Sequence, residues 1–85
     1  MVKIKVIGKL AFVKGIKEAT HIGLKEAKDI ADEIIPDVWK NNIATFDPNK
    51  FGWNEQTLRE IVSLTNTYGN LVNVTILSYD GLIQS

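Results

Sequence analysis

The chain contains no cysteine, so disulfides and thiolate metal sites are excluded. That absence fits a reducing compartment, and a cytoplasmic location is expected. A single histidine, His21, has no cysteine to activate and no serine nearby in sequence, so no nucleophilic constellation forms around it. No apolar run approaches the roughly 20 residues that span a bilayer, so no membrane association is expected. The first residues alternate Val2, Ile4 and Val6 with Lys3 and Lys5, which is a strand pattern and not the continuous apolar run of a signal peptide. There is no phosphate-binding loop, no dinucleotide fingerprint and no framed carboxylate pair. The acids Asp29, Asp32, Glu33 and Asp37 lack the glycine and loop geometry of a calcium site and read as a solvated helix face. No cofactor, no metal and no enzymatic activity are expected. Net charge is also lacking: ten basic residues balance ten acidic ones, which argues against nonspecific coating of nucleic acid.

The neutral total conceals an uneven distribution. Residues 1–28 hold seven lysines against Glu18 and Glu26, while residues 29–85 hold Lys40, Lys50 and Arg59 against eight acids. A basic leading third can present a local positive patch to an acidic protein surface or a phosphate backbone. With 85 residues the chain forms one domain, 1–85, with a small core and little room for a deep substrate cleft.

Periodicity supplies the elements. Val2 to Ile7 reads as a strand that Gly8 ends. Leu10, Val13 and Ile16 recur at helical spacing and predict a helix from about Lys9 to Ala19, with Gly15 marking a close approach between two backbones. Residues 20–23 form a turn. Leu24, Ala27, Ala31, Ile34 and Ile35 give a second helix its apolar stripe, and Pro36 stops it. Ile43 to Phe46 reads as a weak strand, followed by a turn-rich loop to Trp53. Asn54 is placed to cap a third helix whose buried side is Leu58, Ile61, Val62, Thr65 and Tyr68, ending at Gly69-Asn70. Leu71 to Leu77 alternates Val72, Val74 and Ile76 with Asn73 and Thr75 as a last strand, and residues 78–85 read as a tail. The order β-α-α-β-α-β predicts an α+β two-layer sandwich, a three-stranded antiparallel sheet with one face covered by three helices.

The segment Lys9 to Asp29, KLAFVKGIKEATHIGLKEAKD, closely resembles the helical hairpin of the C-terminal domain of the bacterial large-subunit ribosomal stalk protein. The specific parts are Lys9-Leu10-Ala11-Phe12-Val13-Lys14, Ala19-Thr20 and the run Gly23-Leu24-Lys25-Glu26-Ala27-Lys28-Asp29. Residues 36–43 follow the family's proline, lysine and apolar spacing into its second strand, and the element order agrees along nearly the whole chain. The resemblance implies a non-enzymatic docking domain. In that family, basic residues of the hairpin contact the GTPase factors of translation, and the matching positions are Lys9, Lys14, Lys17, Lys25 and Lys28. Val13, Ile22 and Gly23 would shape the seam. Lys17 stands where the family usually has Arg, which weakens any forked contact, and His21 stands where a glycine is usual.

Other features depart from the family. Its dimerisation domain and hinge have no counterpart in these residues, so a stand-alone monomer is expected, unless apolar residues such as Leu82 and Ile83 make an interface. Residues 44–53 are an insertion whose aromatics, Phe46, Phe51 and Trp53 with Trp39 upstream, either cover the core or form a second contact patch. Lys14–Glu18, Lys25–Asp29 and Lys28–Asp32 are spaced for weak helical ion pairs. Lys9 and Lys17 have no acid at i+3 or i+4 and read as the most available for a partner. The partner expected is a translational GTPase or another acidic protein. The alternative is a small accessory or inhibitor protein, of the kind phages encode, acting with RNA through the same basic face. A protease-adaptor role, suggested by the related fold of the Clp adaptors, lacks a matching pocket motif.

Overall fold

A computed structural model describes residues 1–37, 40–69 and 72–79. Trp39, Leu82 and Ile83 lie outside the described residues. The elements are β1 (Val2–Val6), α1 (Lys9–Thr20), α2 (Leu24–Ile34), β2 (Ile43–Phe46), a short 3-10 turn (Pro48–Phe51), α3 (Glu55–Gly69) and β3 (Val74–Tyr79). The fold is α+β, with three helices packed on a three-stranded antiparallel sheet of order β2-β1-β3.

Strand alternation decides which face of the sheet is covered. Val2, Ile4 and Val6 of the central strand are wholly buried under the helices, and Lys3 and Lys5 point to the open face. Beside those lysines the open face carries exposed Ile43, Thr45 and Thr75, their cross-strand partners. Between Lys3 and Ile4 the register with β3 steps by one residue, so the ladder skips Leu77.

Gly15 allows α1 and α3 to meet. A Cβ at that position would collide with the Thr65 hydroxyl and stand 2.9 Å from the Ile61 carbonyl oxygen. Thr65 is fully buried beneath it, and its hydroxyl is satisfied by donating to the Ile61 carbonyl at 2.7 Å. The crossing seats Phe12 and Ile16 of α1 against Leu58 and Ile61 of α3 in one core. Burial of each such side chain stabilises the fold by about 1.5–3 kcal/mol.

Helix boundaries follow local chemistry. α1 ends where His21 adopts a left-handed conformation, φ 58°, with its N–H donating to the Lys17 carbonyl. Asn54 caps α3 as its position predicts: its side-chain oxygen accepts from the Thr57 N–H at 2.8 Å and the Thr57 hydroxyl at 2.9 Å. Asp47 does the same for the 3-10 turn, accepting from the Asn49 N–H.

Four sequence expectations need correction. Leu10 and Leu24, placed on buried stripes by their spacing, are 69% and 56% exposed. On α1 the covered arc runs through Phe12, Val13 and Ile16 instead. Tyr68 is also exposed, its phenol donating to Glu18 at 2.8 Å. The last strand starts and ends later than its pattern suggests. Val72 is exposed and Asn73 is buried, while residues 78 and 79 belong to the strand and not to a tail. The Asn66 side chain causes that shift. Its oxygen accepts from the Asn73 and Val74 N–H groups, and its amide donates to the Val74 carbonyl, clamping the strand entrance to α3.

Two substitutions test this account by chemical denaturation. Gly15→Ala is expected to lose about 1–3 kcal/mol despite the helix-favouring methyl, because the buried Thr65 hydroxyl and the α3 backbone behind it occupy the space. His21→Gly is expected to gain about 1 kcal/mol by relieving the left-handed residue. A stabilised Gly15→Ala variant would refute the close crossing.

Candidate docking surface

The hairpin brings α1 and α2 side by side in opposite directions, so the start of α1 lies against the end of α2. Lys9 shows this. Its ammonium pairs with Asp32 of α2 and donates to the Pro36 carbonyl at 3.1 Å. Lys28 reaches the other oxygen of the same carboxylate at 3.2 Å. The two lysines hold Asp32 below its ordinary carboxylate value, chiefly through the Lys9 hydrogen bond and then the Lys28 one. The reading of Lys9 as a free cation is therefore overturned, because its partner is far along the chain and not within one helical turn. A Lys9→Glu change would set two carboxylates together at this joint and confound any binding assay.

Lys14, Lys17 and Lys25 remain without an ion pair among the described residues. The spacing that offers Glu18 to Lys14 is not used; that carboxylate takes the Tyr68 phenol instead. Its negative charge raises the phenol's pKa, first through the hydrogen bond.

Two shallow grooves on the hairpin meet at Leu24. One is lined by Lys9, Leu10, Val13, Lys28 and Asp32, and the other by Lys14, Lys17, Glu18 and Tyr68. The residues that sequence reasoning missed are Leu10 and Leu24, whose spacing had sent them to the core. Their exposure gives the basic face an apolar centre. Isolated exposed leucines are common, but two that share a groove, with Lys9 and Lys28 beside Leu10 and Lys14 and Lys17 beside Leu24, make an amphipathic patch.

The remaining candidates divide. Gly23 is exposed, with φ −70° and open space around a Cβ, so its backbone makes no demand for glycine. Ile22 is half-buried against the core and faces a different cleft, beside Phe51 and Trp53. Phe46 and Trp53 are 8% and 3% exposed, meeting edge to face at 6.0 Å, and Phe51 is half-buried against both. These three rings fill the core's edge, and Phe51 and Trp53 also line that cleft.

The leading basic third does not form one patch. Lys3 and Lys5 belong to the open sheet face, across the sheet from the helices that carry the other five lysines. Among the described residues, no group of three or more His, Cys, Asp or Glu side chains could hold a metal ion, and no helix is long and apolar enough to cross a membrane. Family models, curated proteins and solved structures contain no match to this chain.

The Asp32 joint has a pH signature. A carboxylate with a depressed folded pKa adds stability above its unfolded value and loses it as pH falls through the folded one. Asp32→Asn is expected to lower the melting temperature at neutral pH, with the gap to wild type closing below the ordinary carboxylate range. The effect is exposed to solvent and should shrink with added salt. A gap that persists undiminished at low pH would place the loss elsewhere than in this ion pair.

Proposed function

We propose that the chain is a non-enzymatic interaction domain that docks another protein through the α1–α2 hairpin. The observation that carries this reading is the pair Leu10 and Leu24, exposed in two adjoining grooves that Lys14, Lys17 and Lys28 also line. Removing such leucines from water favours association by about 1.5–3 kcal/mol each. The surrounding ammonium groups select an acidic partner and speed the encounter more than they add affinity. The partner is therefore an acidic surface with an apolar cavity or ridge at its centre. The resemblance to the stalk-protein domain makes a translational GTPase the favoured class. An RNA partner would use the lysines but leave both leucines unexplained.

The test uses a purified bacterial translational GTPase and surface plasmon resonance. Leu24→Ala is expected to weaken binding about tenfold, the loss typical of truncating a central contact. Lys14→Glu with Lys17→Glu is expected to slow association, most at low salt. Melting temperature should hold for each variant, since Leu24 and Lys14 are exposed and Lys17 is half-exposed. Affinity unchanged in both variants would remove the hairpin from the interface. Binding to RNA without any to the GTPase would overturn the reading.

A further inference from the structure

The turn end of the hairpin carries a second cleft, separate from Leu10 and Leu24. Its volume of about 440 Å³ falls within the roughly 300–1,000 Å³ usual for ligand sites. The hairpin supplies one wall through Ile22, Glu26 and Ile30, and the 47–53 segment supplies the other through Phe51 and Trp53. Gly52, left-handed at φ 77°, turns the chain between those two rings.

The polar groups of the cleft form an uneven set. Glu26 is exposed and holds no ion pair or hydrogen bond among the described residues. Thr20 and Thr57 also line it, and both hydroxyl protons are already spent, on the Ile16 carbonyl and on Asn54. Each hydroxyl therefore faces a ligand as an acceptor. No basic residue lines the cleft, and the adjacent Lys50 is paired with Glu33. One donor remains. Trp53 is 97% buried by its 3% exposure, its main-chain N–H is used by Pro48, and its indole N–H has no acceptor among the described residues. A buried indole N–H usually finds a partner, so this one is a position waiting for an acceptor.

We propose that this cleft takes an arginine side chain of an extended partner peptide. Guanidinium offers five donors and no acceptor, which matches a site built from a carboxylate and two spent hydroxyls. The Glu26 carboxylate accepts the fork, and the aromatic walls suit its flat, weakly hydrated face. The indole N–H of Trp53 donates to a main-chain carbonyl of the same peptide. The site is independent of the docking surface and stands or falls separately.

The experiment is a 15N–1H NMR titration with acetyl-Gly-Gly-Arg-Gly-Gly-amide, the Trp53 indole signal being assigned by comparison with Trp39→Phe. Saturable shifts at the Trp53 indole and at the Thr57 amide are expected. The peptide with citrulline in place of arginine should leave them still, because it keeps the shape and loses the charge. Glu26→Gln, an exposed change that should preserve the spectrum's dispersion, is expected to weaken the arginine peptide about tenfold or more. Equal binding of the citrulline peptide, equal binding by Glu26→Gln, or shifts confined to Leu24 and Lys14 would each overturn the proposal. So would the absence of any saturable shift.

Discussion

The fold depends on the contact between Gly15 of α1 and the Thr65–Ile61 turn of α3. With no side chain at position 15, one helix lies on the other's backbone and on a hydroxyl that bonds within its own helix. That approach fixes the rotation of α1. Phe12, Val13 and Ile16 turn inward, and Leu10, Lys14 and Lys17 turn toward solvent or the seam with α2. A larger residue would lift α1 from the core and change what the hairpin shows outside. The docking face is thus a consequence of a packing decision made on the opposite side of the same helix.

Much of this was legible in the sequence, and the failures share a cause. Alternation in Val2–Val6, the Pro36 stop, the Asn54 cap and the close approach at Gly15 are local signals, and local physics governs them. Periodicity gives relative facing but not which arc of a helix is covered. α1 carries apolar residues at 10, 12, 13 and 16, a wider arc than one neighbouring layer can bury. Leu10 is left at its margin, and Leu24 opens α2 before that helix reaches the core. The Lys9–Asp32 pair spans two helices, so no search within a helical turn could find it. Asn66 sets the start of β3 through bonds across seven or eight residues, which overrode the alternation that had begun the strand at Leu71.

The same distinction applies to charge. Seven lysines in the first 28 residues read along the chain as one basic block. In three dimensions strand alternation sends two of them to the open sheet face, and one carboxylate engages two more. Among the described residues, Lys14, Lys17 and Lys25 are left on the hairpin without an ion pair. Lys14 and Lys17 beside Leu24, with Lys25 next to it in sequence, suit an acidic protein surface with an apolar centre. They are too few to neutralise a long run of phosphates, whose binding scales with the number of contacts made.

The 47–53 segment adds a feature the hairpin cannot make alone. Its aromatic residues close the edge of the core, which accounts for Phe46 and most of Trp53 as stabilising elements. Core closure does not account for an indole N–H without an acceptor among the described residues, because any apolar ring of similar size would fill the space without that unmet donor. Nor does it account for Glu26, a carboxylate with no partner among the described residues that lines the same cleft as two aromatic side chains. The hairpin therefore presents opposite chemistry at its two regions, cations around leucines along its length and acceptors beside aromatics at its turn. A partner that engages both must itself carry an acidic surface and a separate basic residue, a demand more selective than either patch imposes.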